Sequence, residues 1–256
     1  MPDARLHRLE HWFDGYVRSF ASDDADLMAN IQLKVGHTRR VRAEIVALGR
    51  QLGLSGSELA LAEIMALLHD VGRFEQLARH HTLSDHRSLD HAELGAKMVE
   101  ERGLLDGLER RDLVLRVIAV HNRRSLPVDQ DPATSFFSRL LRDADKLDIW
   151  HVVTAYYHGE ADHPSSAMEL GLPDTPGFSP PVVEELLARR LVDVRQVGSL
   201  NDLKLLQASW IYDVNFASTI AAVRKRGYLE RIRAALPETA EVRAVFAEIE
   251  TFVHAW

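Results

Sequence analysis

Apolar residues recur at helical spacing along almost the whole chain, and no segment alternates apolar with polar residues as a half-buried strand would. The last segment is the clearest: Val242, Val245, Phe246, Ile249 and Val253 share one face of a helix over 238–255. An all-α fold follows. No internal repeat, low-complexity tract or flexible linker divides the 256 residues, which suffice for a sizeable core. The expectation is one all-α domain over 1–256.

Other helices are predicted over 6–20 and from Asp24 or Asp26 past Leu48, with Gly49 and Gly53 loosening the end. A third opens at Ser55, where Ser55 and Glu58 have capping-box spacing, and runs to Leu68; Gly72 then permits a turn. Residues 74–89, rich in His, Asp, Ser and Arg, read as an ordered loop or a broken helix. Asp90 with Glu93 caps a helix that puts His91 in its first turn, and a helix over 111–120 delivers His121 at its end. A long helix spans 134–157. His, Pro, Gly and Ser dominate 158–181, as in a lid, a binding loop or disorder. Ser179-Pro180-Pro181 starts another helix, and 199–226 reads as a single long one.

Composition narrows the chemistry. The chain has no cysteine, which excludes disulfides, thiolate metal sites and cysteine nucleophiles. A metal must then be held by nitrogen and oxygen, a donor set that suits Mn, Fe, Ni, Co, Zn or Mg without choosing among them. The formal charge of -7 and the lack of a basic stripe argue against a nucleic-acid groove. The first residues lack the apolar stretch of a signal peptide, and no apolar run approaches a membrane span, so a cytoplasmic protein with no membrane partner is expected.

The candidate ligands are His37, the adjacent pair His69-Asp70, His91, His121 and Asp145. They stand at the ends, at the beginnings or within different predicted helices, so only packing could bring them together, as helical bundles do for inward metal sites. Each alone has a plainer reading, since a histidine at a helix end is more often a cap or a surface residue. Arg73 and Lys146 are the cations closest in sequence to these positions, and either could meet a phosphate oxygen or simply face solvent. Asp148, one turn from Asp145, could orient a ligand, whereas Asp143 is expected to face solvent. His80, His81 and His86 form a local cluster that could compete with His91 as ligands; His86 and Arg87, with Thr82, Ser84 and Asp85, read as a pocket wall or as a polar loop that satisfies its own backbone. Trp210 and Tyr212 read as core, while Asp213 or Asn215 could reach a pocket.

The ordered words GHTRRV, LLHDVGRFEQ, DHAELG, VIAVHN and DADKLD resemble the HD-domain superfamily of metal-dependent phosphohydrolases over roughly 30–160. The resemblance implies an HD-domain helical bundle with further C-terminal helices over roughly 180–256. Its four signature positions fall on His37, His69, Asp70 and Asp145, and the extra histidines of two-metal members fall on His91 and His121. Asp70 would bridge two divalent ions, His37, His69 and Asp145 holding one and His91 and His121 the other. Two ions so placed activate water and hold phosphoryl oxygens for in-line displacement. The implied activity is hydrolysis of a small phosphorylated substrate, a phosphomonoester or a nucleotide-like phosphodiester, with Asp70, Arg73 and Lys146 in the catalytic set. The segments HDVGRFEQ, HTLSDHRSLDHAELG and WIYDVNF are similar to a bacterial group described only as HD-domain proteins or predicted hydrolases. The chain departs from cyclic-dinucleotide phosphodiesterases of the HD-GYP type at Arg73 and Asn122, where they carry lysine and histidine, and it lacks the GYP word. Two alternatives are a di-iron oxygenase on the same fold and a nucleotide-sensing module without turnover.

Overall fold

A computed structural model describes residues 2–161 and 166–256. Every regular element among them is helical. In chain order these are α1 (Pro2–Arg18), α2 (Ala25–Gln51), α3 (Gly56–Leu68), α4 (Val71–His80), α5 (His91–Glu101), α6 (Arg111–Val120), α7 (Pro132–Tyr157), α8 (Pro180–Leu187), α9 (Leu200–Ser209), α10 (Ala217–Arg226), α11 (Tyr228–Ala234) and α12 (Ala240–His254). They fall into two compact units, Met1–Asp148 and Ile149–Trp256.

In the first unit α2 packs along α3, α4 against α5, and α5 against α6. Asp24 caps α2 by accepting from the backbone amides of Asp26 and Leu27, and Ser55 with Glu58 forms the predicted capping box on α3. Ile31, Ile45, Met65, Leu68, Ile118 and Leu140 are fully enclosed. Their burial supplies the main driving force for assembly, about 1.5–3 kcal/mol for each large side chain. Phe74 sits among Phe13, Tyr16 and Phe20 at ring separations of 5.6, 6.0 and 6.2 Å.

Two elements differ from the sequence expectation. Residues 71–80 form a regular helix, α4, because Val71, Phe74 and Leu77 make a buried stripe at three-residue spacing inside an otherwise polar segment. Only 81–90 are irregular, with one 3-10 turn at Asp85–Arg87. Gly72 serves a crossing and makes no turn: a Cβ there would lie 2.2 Å from His91 O and 2.9 Å from Gly95 N. Backbone touches backbone where α4 meets α5.

In the second unit α8 packs on α12 and α9, and α9 on α11. The single helix expected over 199–226 is interrupted. After α9 the residues Trp210–Asp213 form a 3-10 turn, Val214 and Phe216 are extended, and Asn215 Nδ2 donates to Asp213 O at 3.1 Å. That local bond gives the backbone a non-helical partner. Trp210 and Tyr212 pack against Trp150 and Phe252, at ring separations of 6.3 and 5.0 Å. Ser179 precedes α8 as predicted, but its hydroxyl donates to Asp202 Oδ2 at 2.6 Å and does not cap the helix. Of the stretch 158–181, residues 162–165 lie outside the described residues.

Candidate metal centre

His69 and His121 reach the centre by the same local device. Each is the residue after its helix, α3 or α6, still in right-handed helical conformation. Each donates its Nδ1 proton to the carbonyl three residues back, Ala66 O or Ile118 O, at 2.7 Å in both cases. That bond fixes the tautomer and aims the Nε2 lone pair away from the helix. Asp70 follows directly, at the head of α4, where its side chain makes no capping bond and both oxygens are left for the centre. His37 comes from within α2, His91 opens α5, and Asp145 comes from α7.

Asp70 divides the site. Its Oδ2 lies 3.3 Å from His37 Nε2 and 3.4 Å from His69 Nε2, and Asp145 Oδ1 completes this group at 3.1 Å from His37 Nε2. Its Oδ1 lies 3.2 Å from His91 Nε2 and 3.6 Å from His121 Nε2, and those two nitrogens are 3.0 Å apart. The ligand atoms of His37, His69 and Asp70, and those of Asp70, His91 and His121, lie within 4.8 Å of one another. All these histidines and Asp70 are buried, while the Asp145 side chain is 17% exposed, which puts solvent access on the His37 side.

The remaining ring nitrogens are also engaged. His37 Nδ1 meets Asp148 Oδ2 at 2.7 Å, and Asp148 in turn accepts from Arg40 Nε at 2.5 Å. His91 Nδ1 meets Asp85 at 2.8 Å. With every Nδ1 facing an acceptor, all four Nε2 atoms converge on Asp70, an arrangement that suits first-row divalent ions with nitrogen and oxygen ligands. Buried His and Asp groups here could hold metal ions.

The charges confirm how crowded the centre is. Burial and Lys34 push the His37 imidazole down, but hydrogen bonds to Asp145, Asp148 and Asp70 outweigh them and raise its pKa to about 10. Burial and Arg73 lower His91, outweighing Asp70 and Asp85. Burial would raise the Asp70 carboxyl, yet Lys34, His69, His121 and His37 together hold it well below the usual carboxylate range. Asp85 is held low against its own burial by His91, Arg73 and Asn122.

The structure brings together all six candidate ligands, and Asp148 stands where its spacing placed it. Arg73 lies beside the centre with Nη1 donating to Gln76 Oε1, Leu83 O and Asp85 Oδ1 at 2.6, 2.7 and 2.8 Å. Lys146 is buried on α7. Asp143, expected to face solvent, is fully buried: Leu140, Leu141, Arg142, Ala144 and Leu147 are buried as well, so α7 is enclosed around most of its circumference. His80, His81, His86 and Arg87 are exposed, and the Thr82 hydroxyl accepts from Ser84 N at 3.1 Å, as in a loop satisfying its own backbone.

Two further residues at the centre were not singled out as site residues from sequence. Lys34 places its ammonium on Asp70 Oδ2, and the available signal was its position one helical turn before His37. Asp85, grouped with the loop, turns inward to His91, and no spacing rule identifies it.

Residues 35–150 match the family model described as HD domain, and all six candidate ligands fall within them. No curated protein and no solved structure matches the chain. Among the described residues no helix is long and apolar enough to cross a membrane.

Proposed function

With residues 35–150 an HD domain, we propose that the protein is a metal-dependent phosphohydrolase acting on a phosphomonoester or a nucleotide-like phosphodiester at a two-metal site. The observation that carries this reading is Asp70: its two oxygens face different histidine sets, as a bridging carboxylate requires. His37, His69 and Asp145 would hold one divalent ion, and His91 and His121 the other. Bound ions of this kind lower the pKa of a water and offset charge on phosphoryl oxygens.

The chain's own residues do the rest. Asp148 and Asp85 hold the Nδ1 protons of His37 and His91, which keeps each Nε2 turned inward. We assign Lys34 to a non-bridging phosphate oxygen, because its ammonium lies at Asp70 Oδ2 on the side where Asp145 admits solvent. Arg73, with Nη1 engaged by Gln76, Leu83 and Asp85, is assigned to positioning, and Lys146, buried on α7 beside Asp145, stays a candidate cation of the catalytic set.

Metal analysis followed by a panel of phosphomonoesters and nucleotide phosphodiesters, with Mn, Fe, Ni, Co, Zn and Mg in turn, tests the proposal. The expected result is phosphate or nucleotide release that a chelator abolishes. Absence of turnover by fully metallated protein on both substrate classes would count against it. The iron-loaded protein run under oxygen separates the di-iron oxygenase: oxygen consumption without phosphate release would favour that alternative.

A further inference from the structure

We propose that Asp85 makes the site binuclear: it is the positioning residue that holds His91 in the single tautomer and orientation able to meet a second divalent ion. The inference rests on the two-metal reading of the centre.

Asp85 lies in the 3-10 turn between α4 and α5, outside any α-helix, yet it is among the most heavily bonded side chains at the centre. Its Oδ1 accepts from Arg73 Nη1 at 2.8 Å, from Gln76 Nε2 at 2.9 Å and from His91 Nδ1 at 2.9 Å. Its Oδ2 accepts from His91 Nδ1 at 2.8 Å and from Asn122 Nδ2 at 3.0 Å. A carboxylate has about four accepting positions, so these four donors fill it and leave it little freedom to rotate. They come from α4, from the first residue of α5 and from the residue after His121, three separate parts of the unit.

The turn itself is pinned on both sides of Asp85. Gln76 is fully buried and donates to Ser88 Oγ at 2.8 Å and to Leu89 O at 3.0 Å, while Arg73 Nη1 reaches Leu83 O at 2.7 Å. The result is an immobile acceptor behind His91, whose Nε2 then stays against Asp70 Oδ1 and His121 Nε2. His121 needs no such support, because its own Nδ1 partner is a backbone carbonyl. Asp85 is therefore the side chain on which the geometry of the second position depends.

Asp85→Asn keeps the shape but places an amide donor among groups that already supply donors. The chelator-treated protein is titrated with Mn2+ by calorimetry, with circular dichroism melting as a check on folding. Wild type is expected to bind two equivalents in two steps. Asp85→Asn should weaken one step by about 10–100-fold and leave the other in place, the range found when the partner of a metal-ligating histidine is lost. Arg73→Gln, which leaves the carboxylate but removes its clamp, should weaken the same step by less, and it carries the test if the first variant fails to fold.

If both variants retain two unchanged steps, or lose both steps equally, the role of Asp85 is overturned while the two-metal reading stands. A single equivalent in wild type would overturn the two-metal reading and the inference together.

Discussion

The two halves of the centre use the same kind of imidazole and treat it in opposite ways. Around His37 the carboxylates Asp70, Asp145 and Asp148 prevail, and in the metal-free protein its pKa is raised to about 10. Around His91 burial and the Arg73 guanidinium prevail, and its pKa is lowered. His37 must expel a proton before it can accept a cation, whereas the lowered His91 holds its proton less tightly than an ordinary imidazole. Chemically identical ligands are thus set apart by the charges that face them.

The largest effect should come from the residue the halves share. Asp70→Asn keeps the shape of the bridge but removes its charge, so metal content should fall in both halves and turnover should drop by more than the roughly 100-fold seen when only a ligand's partner is lost. Elemental analysis beside a kinetic assay checks it; normal metal content with full turnover would break the comparison at its root. Asp148→Asn should then mirror the change at Asp85, weakening the His37 half by about 10–100-fold while the His91 half keeps its affinity. Resolved binding steps in calorimetry distinguish the two halves.

Protonation sharpens the contrast further. Because the His37 pKa is raised to about 10, metal affinity of that half should climb about tenfold per pH unit between about pH 7 and 9, with one proton released into buffer. His91, lowered from the ordinary imidazole value, should add little pH dependence to its own step over the same range. For the metal-free fold the sign is the reverse: the stability His37 contributes is fully present below 6.5 and is lost as pH rises through about 10. Equal pH slopes for both binding steps would contradict the charge argument.

Two smaller effects complete the series. Gly72→Ala should destabilise by about 1–3 kcal/mol, since the added Cβ meets the backbone of His91 and Gly95 and forces α4 from α5. Thermal melting reads it, and second-step metal affinity should fall with it. Arg40→Ala should act in the same direction as Asp148→Asn and by less, since the Arg40 side chain is 40% exposed while its Asp148 partner is 2% exposed and keeps its bond to His37. A large loss there would mean that Asp148 depends on Arg40 far more than exposure suggests.

The helices were legible because they are written in spacing, and the six candidate ligands because their ordered words resemble a known family. Ser55 and Glu58 announced their cap, and the order of His37, His69-Asp70, His91, His121 and Asp145 carried the family pattern. What stayed hidden depends on contacts distant in sequence. Gly72 looks like a turn until α5 crosses it, and the break after Trp210 comes from a local bond that periodicity does not register. Asp143 reads as surface because it is a charged side chain on a helix, although α7 is enclosed there. Lys34 and Asp85 owe their places to a carboxylate and an imidazole on other segments; Lys34 at least lies one helical turn before His37, whereas no local rule points at Asp85.

His69 and His121 lean on main-chain carbonyls, while His37 and His91 lean on side-chain carboxylates. A carbonyl survives any substitution at its own position, so half of the ring orientations are insulated from mutation. The other half can be changed by one codon each, at Asp148 and Asp85. Laboratory selection for altered metal preference should therefore return to those two positions.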